Sequence, residues 1–96
     1  MGLYISEHSN IYNFRQIPIG APLARYYLSS TTAAGPFPRA GAKFVRVSAD
    51  AGGYFNNSTT STGLTLTSTN SFRIAPNLDA EIFAISTSNR IQTAST

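Results

Sequence analysis

The sequence predicts an all-β protein: a small antiparallel β-sandwich or barrel preceded by an extended N-terminal arm. Three observations predict it. Apolar and polar residues alternate with period two in successive runs, and these runs are filled by the β-branched and aromatic residues that strands prefer. Gly, Pro, Asn and Ser punctuate the chain at spacings near ten residues, the rhythm of short strands joined by turns. No window places apolar residues at helical spacing with good helix formers between them; the best candidate is a short turn around Pro76–Glu81.

The first 22 residues read as the arm or an edge segment. LYIS, IYNF and QIPIG are brief apolar patches with few turn residues between them, and Pro18 and Pro22 disfavour central-strand positions. Residues 23–96 read as the sandwich domain. Leu23–Ser29 places Leu23, Arg25 and Tyr27 on one face and Ala24, Tyr26 and Leu28 on the other. Lys43–Ala49 sets Val45, Val47 and Ala49 against Phe44, Arg46 and Ser48. Gly63–Ser68 alternates Leu64 and Leu66 with threonines, and Ser71–Ala75 pairs Phe72 with Ile74. Glu81–Ser86 puts Phe83 and Ile85 on one face, and Asn89–Ser95 follows as a strand led by Ile91 and Thr93. Gly52-Gly53 supplies positive φ for a tight turn or bulge.

The stretch Ala51–Phe72 contains no charged residue. Its Ser, Thr and Asn suit outward strand positions and a loop tip whose side chains bond their own backbone. Leu64, Leu66, Phe72 and Ile74 at strand spacing distinguish it from a linker, so it reads as a hairpin with an extended loop.

At 96 residues the chain is one domain, and such a domain buries roughly 60–65% of the surface of its unfolded chain. Its core is expected to be thin and to benefit from a partner surface. Hydrophobic residues are 42% and charged residues only 11%, against about 25% in ordinary domains, so the exterior is neutral and rich in hydroxyls. With no Cys, disulfides and thiolate metal sites are excluded, and synthesis in a reducing cytosol is expected. The start shows no signal peptide and no apolar run spans a bilayer, so no membrane partner is expected. The net charge of +3 is spread evenly from Arg15 to Arg90, unlike a clustered nucleic-acid footprint, so nucleic acid is not an expected partner.

Catalytic chemistry finds no footing. His8 is the single histidine, and Asp50, Asp79 and Glu81 are too scattered to complete a metal site with it. There is no nucleophile elbow, P-loop or dinucleotide fingerprint. Catalytic, cofactor and metal residues are therefore expected to be none. Asn56 and Asn57 open overlapping glycosylation sequons of the kind that Ser/Thr-rich sequences produce by chance. Tyr and Arg are enriched at protein interfaces. The interface candidates are Tyr4, Ile5, Ile11, Tyr12, Phe14, Arg15 and Ile17 in the arm, with Arg25 and Tyr27 in the first strand of the domain.

The runs VRVSADAGGYFNNSTT, FRIAPN and EIFAISTSNRIQTAST give Lys43–Thr96 a layout that resembles small all-β virion proteins of tailed bacteriophages, especially capsid decoration (cement) proteins. The resemblance implies a jelly-roll or β-tulip-like domain, a homotrimer, seated on the major capsid protein or another virion protein after synthesis in the host cytoplasm. Composition agrees: a high-copy structural protein needs a compact fold, an apolar patch for its neighbours and an inert outer face. The expected function is thus a non-enzymatic capsid decoration protein. The alternatives are a tail tube, adaptor or fibre module of a phage, and a small carbohydrate- or nucleic-acid-binding β-domain.

Overall fold

The computed structural model describes residues 2–9, 11–12, 17–18, 22–29, 35–58, 60, 65–76 and 80–94. Among them are nine strands and no helix: β1 Gly2–His8, β2 Ile11–Tyr12, β3 Ile17–Pro18, β4 Ala24–Ser29, β5 Phe44–Ala49, β6 Gly53–Asn56, β7 Phe72–Ile74, β8 Glu81–Ala84 and β9 Gln92–Ala94. Every pairing is antiparallel. One sheet has the order β4-β1-β5-β8, a second β7-β6-β9, and β2-β3 form a separate two-stranded ladder. Neither larger sheet closes into a barrel among the described residues; they pack face to face as a sandwich.

The alternation explains which faces meet. Val45, Val47 and Ala49 of β5 join Leu3 and Ile5 of β1 on the inner face of the four-stranded sheet. Tyr26 and Leu28 of β4 and Phe83 of β8 flank them. Phe55 of β6, Ile74 of β7 and Ile91 beside β9 close the core from the other sheet. Phe55 stacks on Phe83 across the sandwich, with ring centroids 5.1 Å apart.

The chain passes from one sheet to the other through Asp50-Ala51-Gly52. Gly52 has φ of +85°, a conformation that side chains with a Cβ rarely adopt. Gly53 belongs to β6 instead of the turn, and a Cβ there would lie 2.5 Å from Leu3 Cδ1 and 2.9 Å from the Ala94 carbonyl. The missing Cβ lets Leu3 of the larger sheet lie directly against β6.

Two expectations need correction, and one strand was not expected. Residues 2–8 are not an arm or an edge: β1 runs between β4 and β5 and pairs with both along its length. Pro18 and Pro22 lie outside it and do not interrupt its ladders. The run 65–67 is not a strand, although Leu66 is buried and anchors the loop; Gly63 and Leu64 lie outside the described residues. GYFN, flanked by turn residues, is a strand that pairs with β7 on one side and β9 on the other. The hairpin expected over Ala51–Phe72 is thus formed by β6 and β7.

Candidate functional site

The outer face of the four-stranded sheet is built by register. Tyr4 on β1 is opposite Tyr27 on β4 and Ser48 on β5. One row along, Ser6 is opposite Arg25 and Arg46. The next row brings His8 opposite Phe44. Tyr4 is 48% exposed and Tyr27 39%, and their rings are 4.7 Å apart at a 50° tilt. The Tyr27 hydroxyl donates to Asp50 Oδ2 at 3.0 Å, which fixes the ring's direction. Asp50 Oδ1 accepts the Gly2 N–H at 2.9 Å, the main reason its carboxyl is held below the usual carboxylate range.

Beneath this face the groups are committed to structure. Glu7 points to the inner side and is buried. It accepts the Tyr26 hydroxyl at 2.6 Å and the Arg39 N–H at 2.7 Å, tying the 39–42 turn to the sheet. Burial, followed by the bond to Glu7, pushes the Tyr26 phenol well above its ordinary value. His8 Nε2 and Ser6 Oγ share a 2.8 Å hydrogen bond, whereas His8 Nδ1 is buried with no partner among the described residues. Burial, helped by Arg46, lowers the His8 pKa from its ordinary 6.5.

That shift has a testable consequence. Because the folded ring binds a proton less readily than the unfolded one, unfolding takes up a proton in acid. The His8 contribution to stability is complete above the unfolded value of about 6.5 and is lost as pH falls towards the folded-state value. Thermal melts are expected to show a lower Tm at pH 5 than at pH 7.5, and His8→Gln should reduce that difference. An equal Tm at both values in the native protein would contradict it.

A second surface lies at the edge of the smaller sheet. Phe72 is 58% exposed and contacts Phe83, with centroids 4.8 Å apart. Beside them is a groove of about 440 Å³ whose lining includes Phe55, Phe72 and Phe83 with Asn57, Ser58 and Asn70. The asparagines serve the fold. Asn57 Nδ2 donates to the carbonyls of Ser86 and Asn89, and its Oδ1 accepts the Ser86 N–H, so the end of β6 is clamped to the segment that joins β8 to β9. Asn56 Oδ1 accepts from both N–H and hydroxyl of Ser58, the local turn bonding that its sequence context predicts. Arg90 donates to the Thr60 and Gly35 carbonyls and covers the Phe37 ring at 4.6 Å.

Of the interface residues expected from sequence, Tyr4, Arg25 and Tyr27 come together on the outer face. Ile5 does not: it is 2% exposed, taken up by the chain's own core because alternation in β1 turns it inward. Ile11, Tyr12 and Ile17 belong to β2 and β3, a ladder of its own that does not pair with this sheet. Phe14 and Arg15 lie outside the described residues. Arg46 and Phe72 were not among the candidates; strand pairing brings Arg46 beside Ser6, and packing of one sheet on the other brings Phe72 to Phe83. No three His, Asp or Glu side chains converge on one point among the described residues. Comparison with known proteins finds no matching family model, no similar curated protein and no similar solved structure.

Proposed function

We propose that this protein is a non-enzymatic structural component of a phage virion, a capsid decoration protein that works as a homotrimer on the outer shell. The observation that carries the reading is Phe72. A large aromatic side chain 58% exposed, continuous with Phe83 and the groove beside it, forms an apolar edge on a 10.3 kDa domain with a thin core. Such a patch is the usual mark of an interaction surface. A second copy of the chain is its occupant: cyclic self-association buries the same edge on every subunit. The sparsely charged Ser/Thr loops remain outward, and the shell contacts fall on the rest of the trimer.

Size-exclusion chromatography with light scattering tests it. A particle of about three times the 10.3 kDa chain mass is expected. Phe72→Ser should convert it to single chains without altering the β-type circular dichroism spectrum. The trimer is also expected to co-sediment with shells assembled from the major capsid protein of the same virus. A native protein that is a single chain at all concentrations and does not bind shells would overturn the proposal.

A further inference from the structure

We infer that the outer face of the β4-β1-β5 sheet binds single-stranded nucleic acid, with bases stacking on Tyr4 and Tyr27 and phosphates held by Arg25 and Arg46. The inference goes beyond the docking role and uses a different surface. It departs from the expectation drawn from the even spread of basic residues. Arg25 and Arg46 are far apart in sequence, but antiparallel pairing with β1 sets them on either side of Ser6 in one cross-strand row.

The charge balance of the Arg25–Ser6–Arg46 row is one-sided. Arg25 and Arg46 are both exposed, and neither makes a hydrogen bond or ion pair to another described residue. Two like charges flank a neutral serine with no carboxylate in their row. Of the nearby acids, Glu7 points into the core, and Asp50 lies at the tyrosine end of the face, where its carboxylate accepts from the Gly2 N–H and the Tyr27 hydroxyl. Two strand spacings, about 9.5 Å, separate the strands that carry them, and an anion over Ser6 is attracted by both. His8 occupies the next row, with Nε2 on the Ser6 hydroxyl and Nδ1 buried without a partner among the described residues.

The adjoining row selects which polyanion. Tyr4 and Tyr27 form an exposed, tilted ring pair, and the Asp50 bond holds the second ring in place. Unpaired bases stack on such rings, whereas a duplex keeps its base faces covered and an acidic peptide has none to offer. Along each strand, rows two residues apart are about 6.5 Å apart, so ring and cation lie within reach of one nucleotide and its phosphate. Stacking tolerates any base, so little sequence preference is expected.

Fluorescence anisotropy with a labelled oligothymidylate of about 12 nucleotides tests the inference. Micromolar binding is expected in low salt, weakening with a log–log slope of about −1.4 to −2, as two or three phosphate contacts require. The pair Tyr4→Ser, Tyr27→Ser should weaken binding about tenfold or more and leave that slope unchanged. The pair Arg25→Ser, Arg46→Ser should flatten it by about 1.4. Tyr4→Phe keeps both rings and the Tyr27–Asp50 bond and should retain affinity, and an unchanged β-type circular dichroism spectrum shows the serine pair to be folded. A duplex and polyglutamate of matched length should compete poorly. No binding in low salt, equal binding of duplex or polyglutamate, or indifference to loss of the tyrosine rings would each overturn it. None of these outcomes bears on the trimer, whose edge is at Phe72.

Discussion

Phe55→Ala is expected to destabilise the fold by about 3–5 kcal/mol, the range for a fully buried phenylalanine. Phe55 is 1% exposed and touches both halves of the sandwich. Its own strand lies in the smaller sheet, and its ring stacks on Phe83 of the larger one. Truncation removes that stack and leaves a void between rigid sheets, which cannot close without giving up ladder hydrogen bonds. Domains of this size have only about 5–15 kcal/mol in total, and each kcal/mol moves Tm by roughly 4–8 °C. The variant should therefore melt at least about 12 °C lower. Urea denaturation checks it, and a loss below about 1 kcal/mol would mean that the ring is not at the junction of the sheets.

Gly53→Val is expected to be comparably damaging for the opposite reason. Any Cβ at this position meets Leu3 Cδ1 and the Ala94 carbonyl at distances that atoms do not share. One obstacle is backbone, and the other is a side chain with no exposed surface. Overpacking costs typically about 1–3 kcal/mol, and here the Leu3 contact forces that side chain or the sheets apart while the Ala94 contact strains the β6–β9 ladder, which puts it at the upper end. The cause can be isolated by a double-mutant cycle. Leu3→Ala alone should cost about 2–5 kcal/mol, but distinctly less in the Gly53→Val background, because it supplies the space that valine needs. Simple additivity of the two substitutions would place Gly53 away from Leu3.

The parts of the fold that were legible in sequence are those whose two faces differ in chemistry. In β5, Val45, Val47 and Ala49 alternate with Arg46 and Ser48, and the buried and exposed sides follow directly. In β4 the same holds for Tyr26 and Leu28 against Arg25 and Tyr27. β1 defeats this logic. Glu7 and His8 are buried, so its inner and outer positions do not divide into apolar and polar. What makes those burials tolerable is long-range: the Tyr26 hydroxyl and the Arg39 amide reach Glu7 from other parts of the chain. A strand paired on both sides also satisfies its backbone with partners that no local pattern names.

β6 was hidden differently. Gly53 reads as turn chemistry, yet its missing Cβ serves the close approach of two sheets while Gly52 alone takes the positive φ. Asn57 reads as a sequon and is in fact a clamp on the Ser86–Arg90 segment. The candidate binding face was half legible. Tyr4, Arg25 and Tyr27 were identified by residue type, but Arg46 entered only through the register of β5 on β1.

The core of the larger sheet and the outer Tyr4–Arg25 face depend on β1 running through the middle of its sheet, with Leu3 and Ile5 inward and Tyr4 and Ser6 outward. Native-state hydrogen exchange resolved by residue is the direct test. The amides of Leu3 to Glu7 are expected to exchange as slowly as those of Val45 and Val47, through global unfolding alone. Exchange of the Leu3–Glu7 amides at the rate of an open chain, with Val45 and Val47 still protected, would show a detached arm and contradict the account.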